Sequence, residues 1–161
     1  MAQIQKTASR PTQPDEPCGV WVSRSFTERR RRTGDLRVFV LHTSADLTRA
    51  ALGAVAALTR NLSARVTLVA VQIVPFPLPL DRPDVPPTFL EQELKVLVRG
   101  IDAPVDVRVV IARDRAVGIE EAISPGSLVV LAAKKHWWPT SHERLARWLA
   151  RAGHSVTLVE V

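Results

Sequence analysis

The sequence predicts an open parallel α/β sheet with helices on both faces. Three observations predict it. Five short runs rich in branched apolar residues recur along the chain: LRVFVL (36–41), RVTLVAVQIV (65–74), VDVRVVIA (105–112), SLVVLAA (127–133) and SVTLVEV (155–161). The first two carry apolar residues without alternation, as strands buried on both faces do. Each gap between runs holds a segment of helical periodicity with capping residues at its ends. The order β-α-β-α-β-α-β-α-β then argues for parallel strands joined by crossover helices.

The first helix starts at Ser44, an N-cap, with Asp46 in the first turn, where a carboxylate suits the helix dipole. Its expected inner stripe is Leu47, Ala51, Ala54, Val55, Leu58 and Leu62. After the second strand comes PFPLPLDRPDVPP, a proline-rich crossing expected to hold no regular structure. Thr88 and Glu91 have the T-x-x-E spacing of a capping box, which predicts a helix with Phe89, Leu90, Leu94, Leu97, Val98 and Ile101 inward. Asp114 is the expected cap of a short third helix packed through Val117, Ile119, Ala122 and Ile123, stopped by Pro125 and Gly126. Thr140 and Glu143 repeat the capping-box spacing. That last helix turns Leu145, Trp148, Leu149 and Ala152 inward and ends at Gly153, a suitable C′ residue.

Two units are expected: a flexible basic extension over residues 1–34 and the α/β domain over 35–161. The extension is rich in proline, glutamine, threonine and serine. Its GVWVSRSF reads either as a docking strand or as a sticky spot. The 161 residues carry a net charge of +6. Seven Lys/Arg against three Asp/Glu fall before residue 35, so the tail holds most of the excess. Arg29, Arg30, Arg31 and Arg32 are a solvated charge run or an anchor for an acidic surface. The basic balance is therefore weak evidence for nucleic-acid binding by the folded domain. No apolar run approaches the roughly 20 residues of a membrane span. The N-terminus lacks the apolar block of a secretory signal. Cys18 is the one cysteine, which excludes an intrachain disulfide and suits a reducing compartment. The expected location is cytoplasmic.

Element order and local phrasing resemble the universal stress protein family over residues 36–161. VFVLHTSADLTRAALGAVAALTRNLSARVTLVAVQIV is similar to that family's first strand, helix and second strand. ARDRAVGIEEAISPGSLVVLAA is similar to its third strand, short helix and fourth strand, and ERLARWLARAGHSVTLVEV to its final helix and last strand. The resemblance implies a Rossmann-like five-stranded sheet in the order 3-2-1-4-5, and dimers often paired through the last strand. That strand is also a sheet edge, which invites pairing, so a homodimer through Ser155–Val161 is expected. ATP-binding members of the family carry an acidic residue at the end of the first strand, where this chain has His42. They also carry a G-x2-G-x9-G-[ST] loop after the fourth strand, whose glycines let backbone amides approach phosphates. Here Ala132 and Lys135 stand in those places and the loop is shorter. Thr140 and Ser141 resemble the final hydroxyl pair. Without the glycines, the family's usual mode of ATP binding is not expected.

In sheets of this class ligands bind beyond the carboxyl ends of the strands, near the switch in strand order. HTSAD, PFPLPL, ARDR and KKHWWPT lie there. The candidate binding residues are His42, Thr43 and Ser44 after the first strand, and Lys134, Lys135, His136, Thr140 and Ser141 after the fourth. Two readings of KKHWWPT stand side by side. The lysines, His136 and the free amides of the following helix would hold a phosphate or carboxylate, with Trp137 or Trp138 against a ring. Alternatively, the tryptophans pack over the sheet edge and close the pocket. No metal-ligand spacing is present: His136 and His142 lie six apart across a proline. Nor is there a catalytic set. Asp114, Glu120 and Glu121 stand where helix starts attract carboxylates, and His42, Ser44 and Asp46 lack a nucleophile elbow.

The expectation is a non-catalytic regulatory or binding protein of the universal stress type. It would act through protein contacts or a small anionic ligand and need no cofactor. The alternatives are an ATP- or AMP-binding module using Lys134, Lys135 and the helix start at Thr140, and a module held at an acidic surface by the arginine run.

Overall fold

The computed structural model of the chain describes residues 20–24, 36–134 and 141–161. Its strands are β1 (Val20–Arg24), β2 (Leu36–Leu41), β3 (Ala64–Ile73), β4 (Val105–Ala112), β5 (Leu128–Ala133) and β6 (Ser155–Glu160). Its helices are α1 (Ala45–Thr59), α2 (Pro87–Val98), α3 (Arg115–Ala122) and α4 (Ser141–Arg151). One sheet runs β1-β4-β3-β2-β5-β6. Counted from Leu36–Leu41, its five parallel strands stand in the order 3-2-1-4-5. The sheet is the open, Rossmann-like frame expected, with one addition. β1 lies antiparallel on the β4 edge, Val20 opposite Ala112 and Arg24 opposite Arg108. Of the two readings of GVWVSRSF, the docking strand is the one observed.

Strand alternation separates the core into two layers. Val38, Val40, Val130 and Ala132 turn to the face covered by Leu47, Ala51, Leu52 and Val55 of α1 and Leu94 of α2. Phe39, Leu41, Val129 and Leu131 turn to the face covered by Ile119 and Ala122 of α3 and Leu149 of α4.

The helix caps are mostly those expected. The Ser44 hydroxyl accepts from Leu47 N–H at 3.5 Å. One Asp114 carboxylate oxygen accepts from Ala116 and Val117 N–H at 2.8 and 3.2 Å. Gly153, at φ +89°, closes α4 in a Schellman turn: His154 N–H reaches Leu149 C=O and Gly153 N–H reaches Ala150 C=O.

The Thr88–Glu91 capping box does not form. α2 opens on Pro87, with Pro86 at the N-cap and no side-chain cap bond. Proline at the first helical position has no N–H to satisfy and a preset φ, so a start there requires no hydroxyl. Glu91 instead pairs with Lys95 one turn on, at 2.6 Å. The Thr140–Glu143 box involves Thr140, outside the described residues.

The expected stripes also shift. On α1 the buried residues are Leu47, Thr48, Ala51, Leu52 and Val55, while Leu58 and Leu62 are exposed. α1 ends at Thr59, before Leu62, and its covered stripe is centred nearer its N-terminal half. Phe89 and Val117 are exposed too, as is Ala152, where Ala146 packs instead.

Candidate functional site

β2 and β5 are adjacent and parallel, with Val40 opposite Val130. The helix after β2 packs on one face of the sheet and the helix after β5 on the other. The connections therefore diverge above these strand ends, which is the topological switch point. Five of the eight candidate residues are described there. His42, Thr43 and Ser44 follow β2, Lys134 follows β5, and Ser141 begins α4. Lys135, His136 and Thr140 lie outside the described residues, as do Trp137 and Trp138.

Hydrogen bonds fix the β2 side. His42 N–H donates to Val69 C=O at 2.8 Å, continuing the ladder one residue past the strand. His42 Nδ1 lies 2.9 Å from Thr48 Oγ1, which also accepts from Thr43 N–H at 3.4 Å. Burial holds the His42 pKa below its ordinary 6.5, and the Arg115 guanidinium lowers it further, with Glu93 opposing. Thr43 Oγ1 is shielded from solvent and has no hydrogen-bond partner among the described residues. Ser44 is committed to the α1 cap. Lys134 is exposed.

Beside this point, a cleft of about 370 Å³ opens between the starts of α3 and α4. Arg115 of α3 and Ser141, His142 and Arg144 of α4 form its polar lining, and Leu145 and Trp148 its apolar wall. Among the described residues neither Arg115 nor Arg144 makes an ion pair. Asp114, also at the rim, directs its carboxylate to the α3 amides. Two guanidiniums without ion-pair partners among the described residues, beside an apolar wall, can hold a compact anion: guanidinium presents a planar fork to carboxylate or phosphate.

ARDR is legible in the sequence at this edge, but nothing local singles out Arg115 or Arg144, and the helical stripe assigns Trp148 to the core. The available signal was the recurrence of Arg144 and Trp148 at three and seven residues after Ser141, on one side of α4. What it faces is set by α3, far away in sequence.

Among the described residues no group of three or more His, Cys, Asp or Glu side chains could hold a metal ion. No described helix is long and apolar enough to cross a membrane. No protein-family model matches the chain, and no curated protein matches it.

Proposed function

We propose that the chain is a non-catalytic binding protein of the universal stress type. It takes a small anionic ligand at the carboxyl edge of its sheet and passes that state on through protein contacts. The observation that carries this reading is the cleft at Arg115 and Arg144, two cations without ion pairs among the described residues, beside Leu145 and Trp148. Its volume lies within the range of small-ligand pockets, roughly 300–1,000 Å³. A non-catalytic role is supported by Thr48. Its hydroxyl is the one bonded to His42, and it has no exposed surface from which to attack a substrate. A cytoplasmic setting and homodimer pairing through the open edge of β6 belong to the same proposal.

A nucleotide such as AMP or ATP is the second reading. Trp148 favours it, since a base can stack on an indole at the cleft wall. The test is a titration of the full chain with inorganic phosphate, AMP and ATP, followed by tryptophan fluorescence and calorimetry. A saturable response weakened at least about tenfold, or roughly 1.4 kcal/mol, in Arg115→Ala/Arg144→Ala supports the site. A response to AMP but not phosphate selects the nucleotide. Silence to all three at millimolar concentration, or an unaffected double variant, removes the cleft as the site.

A further inference from the structure

The two edges of the parallel sheet are finished differently. β6 is the last strand on one side. On the other, β4 is followed by β1, which pairs with Arg108–Ala112. β4 is the eight-residue run VDVRVVIA, with no proline and only Asp106 and Arg108 as charges. α2 and α3 both pack against it. Without β1, its outer row of N–H and C=O groups would be a long, branched, apolar edge, the kind that templates pairing with another chain.

β1 is short, at five residues. It stands three strand spacings from β2, roughly 14 Å. Residues 25–35 join the two, and a chain of that length reaches up to roughly 36 Å. Docking in the same chain is therefore easy, and release requires no distortion of β2.

The geometry points to β1 as an intramolecular guard strand: it occupies a strand-accepting edge on β4, and its release opens that edge to the β4 of a second copy. The occupant follows from register. A strand pairing with itself antiparallel about a two-fold axis must centre on a residue, because residues opposite each other must both aim their hydrogen-bonding groups across the gap. The β1 register sets Arg24 opposite Arg108, and centring on Arg108 would likewise set two arginines opposite each other. Centring on Val109 sets Arg108 opposite Val110, Val107 opposite Ile111 and Asp106 opposite Ala112. That register buries branched apolar pairs without facing like charges. It uses the very groups that β1 covers, so guard and second copy exclude each other.

The test uses the full chain and Trp21→Pro/Val22→Pro. Adjacent strand residues point their N–H groups oppositely, so this pair removes a ladder donor whichever of them faces β4. Mass by light scattering and amide exchange of residues 105–112 are followed over a dilution series. The expected result is exchange in 105–112 faster by roughly tenfold in the dilute variant. As concentration rises, mass should double and that protection should return, with β6 exchange unchanged. Trypsin cleavage of the wild-type chain between β1 and β2, verified by mass, removes the covalent tether without any substitution, and should give the same behaviour. The inference is overturned if 105–112 exchanges alike in cut, variant and intact chains. It is equally overturned if the opened edge exchanges faster but mass never rises above that of the intact chain, or if an unrelated strand peptide, and not a second copy, is what restores protection.

Discussion

His42 Nδ1 lies 2.9 Å from the hydroxyl of Thr48, a residue with no exposed surface. The same oxygen accepts from Thr43 N–H. The first residues after β2 are thus pinned to the end of the first turn of α1, and the switch point has one rigid lip. The Thr48 hydroxyl can donate to an unprotonated Nδ1 while its oxygen accepts the Thr43 amide, an arrangement suited to neutral imidazole. Burial and the Arg115 charge, which outweigh Glu93, favour the same form.

That preference sets a pH dependence. The folded His42 pKa lies below 6.5, so on acidification the unfolded chain takes up this proton first. Stability from His42 is fully present above about pH 6.5 and is lost as pH falls toward the folded pKa. Thermal unfolding of the wild type between about pH 7.5 and 5 should show this loss, and His42→Gln should show a shallower slope over the same window. Parallel curves for the two proteins would contradict the assignment.

Two glycines in helices should respond to alanine with opposite signs. A Cβ on Gly118 would stand 2.6 Å from Val71 Cγ1 and 3.0 Å from Ala112 Cβ, both on the sheet beneath α3. The short Val71 side chain cannot swing clear, so the helix or the strand must shift. Overpacking of this kind costs about 1–3 kcal/mol, against a helix-propensity gain of about 1. Gly53 of α1 is exposed, and a Cβ there would meet nothing within 4 Å. Gly53→Ala should raise stability by about 0.5–1 kcal/mol, while Gly118→Ala should lower it or leave no gain. Urea unfolding of both variants decides the matter, and a stabilised Gly118→Ala would show that α3 sits further from the sheet.

The first helix separates what its sequence reveals from what only packing decides. Ser44, Asp46 and the apolar spacing announce a helix and its start. They do not announce how far the sheet extends beneath it. Leu52 is wholly buried and Leu58 is 62% exposed, although Leu58 fits the expected stripe and Leu52 lies at its margin. Local signals were sufficient for element order, strand limits and the caps at Ser44, Asp114 and Gly153, because each rests on neighbouring backbone groups. They were insufficient for β1, whose partner lies some ninety residues away, and for the cleft, which exists because α3 and α4 start side by side. The measurable consequence is a contrast. Leu52→Ala should cost about 2–5 kcal/mol and Leu58→Ala less than about 0.5. Comparable losses from the two would mean that α1 is rotated relative to the packing described.

Arg113 holds the connection after β3 to the end of β4. One of its guanidinium nitrogens donates to Val74 C=O at 2.9 Å and Pro75 C=O at 3.0 Å, and the guanidinium carbon lies 4.2 Å from the centre of the Phe76 ring. Val74 is buried, so its carbonyl has little water to turn to if the donor is lost. Phe76 is 80% exposed, so its ring contributes mainly through the cation above it. Arg113→Ala should therefore cost about 1–2 kcal/mol, chiefly through the carbonyls, and Phe76→Ala only about 0.5. The double variant should lose less than the two single losses combined, because each single change already removes the cation–ring contact. Arg113→Lys keeps the charge but not the planar fork, and should recover only part of the loss. Full recovery by lysine would mean that charge alone, and not the paired donation to Val74 and Pro75, anchors this loop at the carboxyl edge of the sheet.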